Sequence, residues 1–86
     1  MFTGIIEEVG VVLRHEGGVF VIGCSTILEG SGLGDSIAVN GVDLTVRTMD
    51  AASMTFDVMN ETYRRSNLEA LVPGDVVNLE RSVTSA

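Results

Sequence analysis

Six polar residues stand out in two short stretches of this sequence. Asn40, Asp43 and Thr45 follow the run SIAV, and Asp57, Glu61 and Thr62 lie in and after the run MTFDVM. In extended chain successive side chains point to opposite faces, so Asp43 and Thr45 share one face and Leu44 and Val46 the other. By the same rule Asp57 and Met59 lie opposite Phe56 and Val58. Hydroxyls and carboxylates at the ends of two strands, with a methionine alongside, supply the acceptors, donors and apolar contact that hold a flat, heteroatom-rich ring. The plainer reading is that polar residues at strand ends are simply solvated, and residue types alone leave both readings open. Asp43 in particular reads either as a pocket residue or as a rim carboxylate in water.

Other chemistries lack their residues. One cysteine, Cys24, makes no internal disulfide, and with one histidine, His15, it falls short of a structural zinc cluster, so no metal is expected. No spacing singles out a Ser-His-Asp arrangement, and there is no Walker loop, GxGxxG or CxxC. Twelve acidic residues face five arginines and no lysine, a net charge of −7, which repels a polyanion and offers few anchoring cations. Nucleic acid and anionic membrane are therefore not expected partners. No apolar run approaches the ~20 residues that span a bilayer, and MFTGIIEEVG lacks the basic start of a signal peptide, so the expectation is a soluble cytoplasmic protein.

The remaining distinctive side chains read as structure. Cys24 reads as a small, half-buried hydrophobe, and Met49, Met54 and Phe56 as core and strand packing. His15 reads as solvent-exposed, Glu7-Glu8 as an exposed strand edge, and Arg64-Arg65 as a surface pair for acidic partners.

The elements that position these groups follow from turn signals. The chain is 86 residues long, 45% hydrophobic and 20% charged, which suits one small globular domain. A fold of that size removes only ~60% of its chain's surface from water, so a partner subunit is a natural way to hide more. Gly17-Gly18, Gly30-Ser31-Gly32, Gly34-Asp35, Asn40-Gly41 and Pro73-Gly74-Asp75 punctuate runs rich in Val, Ile, Thr and Phe. Those runs predict six strands: Gly4 to Leu13, Val19 to Cys24, Ser36 to Val39, Leu44 to Val46, Met54 to Met59 and Val76 to Glu80. Asn40-Gly41 predicts an antiparallel hairpin, and a second turns near Asp50-Ala51-Ala52. Ser25 to Glu29, with Ser25 as N-cap, and Glu61 to Leu71 read as short helical turns. Six short strands with short connections suit a closed antiparallel barrel, with a two-sheet sandwich as the alternative.

Four blocks, MFTGIIEEVG, SIAVNGVDLTV, FDVMNETYRRSNLEAL and PGDVVNLERS, occur in the order in which they resemble the amino-terminal barrel of riboflavin synthase, the family shared with lumazine protein. Only Arg14 to Leu33 is undistinctive. The resemblance implies an all-β fold, a six-stranded antiparallel Greek-key barrel with short helical turns, occupying residues 1–86 as a single lumazine- or riboflavin-binding barrel. It implies 6,7-dimethyl-8-ribityllumazine or riboflavin as bound ligand, with no cofactor required. The implied reaction is the dismutation of two lumazines, in which a four-carbon unit passes from one to the other to give riboflavin and a diaminopyrimidine. That reaction needs two barrels face to face, so a homodimer or higher homo-oligomer is expected.

Residue by residue, the resemblance sets Gly4, Ile5 and Ile6 at the ligand-bearing mouth and Thr45 facing the ring. Met59 packs on that ring, and Thr62 lies near the ribityl chain and pyrimidine edge. Ser36, Gly41, Val42, Asp57 and Glu61 match further residues in or around the pocket, and Ser36 and Asp43 are the candidates for a catalytic role. Where the family usually has cysteine, in VNGVCLTV, this chain has Asp43; an ionised aspartate offers only acceptors and disfavours a ring anion beside it. Two other functions compete with the enzyme: a binding module without catalysis, like lumazine protein, and an interaction domain whose pocket is vestigial.

Overall fold

Asn40 and Gly41 both adopt left-handed backbone, with φ of 49° and 83°, as a two-residue turn matched to strand twist requires. In the computed structural model, which describes residues 5–58 and 68–81, this turn folds β3 (Ser36–Val39) onto β4 (Val42–Met49). Asp50 shapes the next turn. Its carboxylate accepts from Ala52 N at 2.8 Å and Ser53 Oγ at 3.0 Å, folding β4 onto β5 (Ser53–Asp57). These bonds hold the Asp50 carboxyl below its ordinary pKa, the Ala52 amide contributing most. Gly17 and Gly18 join β1 (Glu8–Glu16) to β2 (Val19–Gly23), and β6 (Val76–Arg81) completes the set.

The six strands close into an antiparallel ring in the order β1-β2-β5-β4-β3-β6. After the hairpins β3-β4-β5 the chain returns to lay β6 beside β3, and β6 then meets β1. Closure leaves none of the six strands with a free edge. In a ring of six, β1 and β4 stand opposite each other.

Alternation fills the interior. Phe20, Ile22, Met54, Phe56 and Leu79 are wholly buried there, and Ile27 and Leu68 join the same core from two 3-10 turns, Thr26–Leu28 and Leu68–Ala70. Gly10 lets β1 approach closely: a Cβ there would stand 2.7 Å from Ile22 Cγ2 and 2.8 Å from Leu79 Cδ1.

Several expectations change. The first strand begins at Glu8 rather than Gly4, and the fourth runs through to Met49. Ser25 makes no side-chain cap. Glu8 reaches across from β1 instead, accepting from Ser25 N at 2.7 Å and Ile27 N at 2.8 Å, so it is a structural cap rather than an edge charge. Its neighbour Glu7 pairs with Arg81 Nε at 2.7 Å. His15 is not out in solvent but half-buried, stacked on Phe20 with ring centroids 4.3 Å apart, its Nδ1 2.8 Å from Leu71 O. That distance calls for the Nδ1–H tautomer, since a carbonyl oxygen only accepts. Arg64-Arg65 lie outside the described residues.

Candidate functional site

Strand register decides which of the predicted site residues meet. Ser36 on β3 is level with Thr45 on β4, and Ala38 with Asp43. Val46 is level with Phe56 on β5, so one step along the antiparallel strands Thr45 comes level with Asp57. The inward residues of this region are Leu44, Val46 and Phe56, all buried, which leaves Ser36, Asp43, Thr45 and Asp57 together on the outer wall. Sequence alternation foretold the shared face but not its side. The packed interior leaves the barrel's outer surface, not its lumen, to receive a ring.

Arg47 has the same parity as Asp43 and Thr45 and joins them. It sits at the irregularity between Val46 and Thr48, and its Nη1 lies 3.1 Å from Asp57 Oδ1. Both side chains are more than half exposed, so the pair fixes the direction of the Asp57 carboxylate more than it stabilises the fold. Sequence reading passed over this arginine, although the alternation that grouped Asp43 with Thr45 extends one step further to it. The wall thus presents hydroxyls from Ser36 and Thr45, carboxylates from Asp43 and Asp57 and one guanidinium within three neighbouring strands. Ala38, level with Asp43 and of the same parity as Ser36, is only 3% exposed. Hydroxyls and the guanidinium donate, carboxylates accept, and a flat molecule with carbonyl, ring N–H and hydroxyl groups finds a partner for each.

The other predicted residues are placed differently. Gly41 is in the β3–β4 turn, and Val42 is half-buried against the core rather than on the wall. Ile5 and Ile6 are 68% and 50% exposed and enter β1 beside β6, where Glu7 N donates to Leu79 O at 2.9 Å; β3 separates β6 from β4. Gly4, Met59, Glu61 and Thr62 lie outside the described residues. Asp57 ends β5 and Val58 follows, its N donating to Gly18 O at 2.7 Å.

Cys24 stays apart from this wall. Burial pushes its thiol up to about 11, and the Glu8 carboxylate pushes in the same direction, which keeps the sulfur protonated and unreactive at neutral pH. Among the described residues no group of His, Cys, Asp and Glu is arranged to hold a metal ion, and no helix is long and apolar enough to cross a membrane.

The chain matches the lumazine binding domain family over residues 3–82. It is 46% identical to a riboflavin synthase of Actinobacillus pleuropneumoniae and 47% identical to one of Bacillus subtilis, in each case over 99% of this chain and 41% of the relative. A riboflavin synthase of the yeast Meyerozyma guilliermondii is 49% identical over 96% of this chain and 40% of its own length. Among solved structures, LumP complexed with 6,7-dimethyl-8-(1'-D-ribityl) lumazine superposes with a TM-score of 0.81 at 26% identity, covering all of this chain and 50% of that one. LumP complexed with riboflavin gives 0.79 at 28% identity, over 94% and 46%. The chain spans about two-fifths of the length of these riboflavin synthases.

Proposed function

The chain belongs to the lumazine binding domain family, and we propose that residues 1–86 act as one barrel that binds 6,7-dimethyl-8-ribityllumazine and riboflavin on the outer wall of β3, β4 and β5. The observation that carries this reading is the register that sets Ser36, Thr45 and Asp57 in one row beside Asp43, on a chain whose whole length superposes on a lumazine-bound structure. In this reading the Thr45 hydroxyl meets a ring heteroatom, Asp57, held by Arg47, accepts from a ring N–H or ribityl hydroxyl, and Ser36 and Asp43 flank them. Gly41 and Val42 shape the turn below the wall. By the family resemblance Met59, Glu61 and Thr62 supply further contacts, and so do Gly4, Ile5 and Ile6, although Ile5 and Ile6 enter beside β6 and not on this wall.

Dismutation of two lumazines is the finer part of the proposal. Two stacked rings gain chiefly from orientation, since fixing two reactants can lower a barrier by ~7–11 kcal/mol. The chain requires no cofactor for this and acts in the cytoplasm, either as a homodimer or as a higher homo-oligomer. A second reading, a binding module that holds one ring and never meets another, is favoured by Asp43. A carboxylate there disfavours an anionic ring intermediate.

One titration separates these. The purified chain is mixed with 6,7-dimethyl-8-ribityllumazine while ligand fluorescence and riboflavin absorption are followed together, with Asp43→Cys in parallel. Quenching with riboflavin formation establishes the enzyme. Quenching alone establishes the binding module, and turnover gained by Asp43→Cys assigns the difference to that carboxylate. No response in either channel overturns both readings.

A further inference from the structure

The ring of strands maps onto itself when β1, β2 and β3 exchange places with β4, β5 and β6. A shift of 34 residues carries Val12 to Val46 and Ile22 to Phe56, and a shift of 40 carries Asp35 to Asp75. The registers obey the exchange. Val11 pairs with Val76 as Thr45 pairs with Ser36, and Val12 pairs with Ile22 as Val46 pairs with Phe56. The irregularities in β1 and β4 fall at matching places, around Leu13 and Arg47, and residues 8–15 are buried and exposed in the same order as residues 42–49. The tethers between strand and turn repeat as well. Val12 N donates to Asp75 O at 2.8 Å and Val46 N to Asp35 O at 2.9 Å, while Gly74 N and Gly34 N return to Val12 O and Val46 O at 2.8 and 2.9 Å. The barrel is thus two copies of one strand-strand-turn-strand unit, about a two-fold axis that passes between Val21 and Thr55 and between Val39 and Leu79.

The exchange sets the outer wall of β3, β4 and β5 on the outer wall of β6, β1 and β2. Ser36, Asp43, Thr45, Arg47 and Asp57 fall on Val76, Val9, Val11, Leu13 and Gly23. The reach of Arg47 to Asp57 has its counterpart in Leu13, which lies over Gly23, 3.3 Å from where a Cβ would stand.

We infer that the backbone offers two equivalent seats for a lumazine ring, and that these five positions, Arg47 among them, are the specificity determinants that confine the ligand to one seat. The inference rests on the proposed reading that the ligand lies on the wall of β3, β4 and β5. In a closed barrel the backbone N–H and C=O groups of both walls are spent on neighbouring strands, so only side chains can meet the carbonyl and N–H edges of a ring. Four aliphatic side chains and a glycine provide neither donor nor acceptor, and a ring set against them would leave its polar edge unpaired. Such a wall is silent by chemistry and not by shape. The halves differ in length at one place: six more residues separate Asp57 from Asp75 than separate Gly23 from Asp35. That longer stretch holds Met59, Glu61 and Thr62, and the first half has no equal to it.

Equilibrium dialysis of the full chain against 6,7-dimethyl-8-ribityllumazine counts ligands per chain and tests the inference. The wild type is expected to hold one. The graft of Val9→Asp, Val11→Thr, Leu13→Arg, Gly23→Asp and Val76→Ser is expected to hold two, the second weaker by up to about a hundredfold for want of the longer stretch. Adding Thr45→Val and Asp57→Gly returns the count to one. Replacing Leu13 removes the side chain that a Cβ at Gly23 would touch, so the graft is expected to keep the circular dichroism of the wild type. If it does not, Val11→Thr, Leu13→Arg and Gly23→Asp alone take its place. A folded graft that still holds one ligand, a wild type that holds two, a count other than one after the last two changes, or loss of the fold in both grafts overturns the inference. A wild type that holds none overturns the proposed function and the inference with it, whereas a failed graft beside a binding wild type overturns the inference alone.

Discussion

The walls of β1 and β4 belong to one barrel, line one core and face opposite ways, yet their outer surfaces share nothing. Inside, both strands supply small or apolar groups, Gly10 and Val12 from one and Leu44 and Val46 from the other. Outside, β4 shows Asp43, Thr45 and Arg47, and β1 shows Val9, Val11 and Leu13. The inner faces are dictated by the same need to fill a narrow interior at crystal-like density. The outer faces are free of that constraint, and in the proposed reading it is the polar β4 wall that meets a small molecule.

Substitutions sharpen this contrast in decreasing order of effect. Gly10→Ala forces a methyl against Ile22, Leu79 and the Gly23 carbonyl, and overpacking of this kind costs about 1–3 kcal/mol. Thermal unfolding is expected to show that loss, while Thr48→Ala on the outside of β4 stays within about 0.5 kcal/mol of wild type. An unaffected Gly10→Ala would mean that the inner side of β1 is not packed as described.

Glu8→Gln removes a charged acceptor from the amides of Ser25 and Ile27 and is expected to cost about 1–2 kcal/mol in the same assay. It also removes a charge that raises the Cys24 thiol, so alkylation at pH 9 should quicken. Unchanged alkylation would remove Glu8 from the causes of the shift and leave burial and the Asp50 carboxylate to raise the thiol.

Acid reaches the turn beneath the polar wall. The Asp50 carboxyl is depressed in the folded state, so its contribution is fully present above the unfolded pKa and is lost as pH falls through the lower folded value. Asp50→Asn should flatten the acid limb of a stability profile, and an identical limb would remove Asp50 from it. Smallest of all, Arg47→Met breaks an exposed ion pair and is expected to change stability by less than about 0.5 kcal/mol. A larger loss would make that pair part of the scaffold rather than of the ligand surface.

Much of the fold was legible because its signals are local. Asn40-Gly41 specified a turn that only residues tolerant of positive φ can make, and MTFDVM announced a strand with one buried face. Alternation also placed Asp43 with Thr45 and opposite Leu44. Glu8 was misread because its partners, the amides of Ser25 and Ile27, are far along the chain and come into reach only across the barrel end. His15 was misread for the same reason: nothing near it in sequence indicates the Leu71 carbonyl or the face of Phe20.

The amino-acid sequence by itself determined the strands, the tightest turns, the faces on which side chains group and the family, since each is written in neighbouring residue types or in ordered blocks. Only the tertiary structure decided that the polar row lies on the outside, that Asp57 meets Arg47, and that an apolar wall stands opposite. Those facts depend on which strands become neighbours when the ring closes. Closure is a contest among non-local pairings, settled by how the whole set of inner side chains fills one interior.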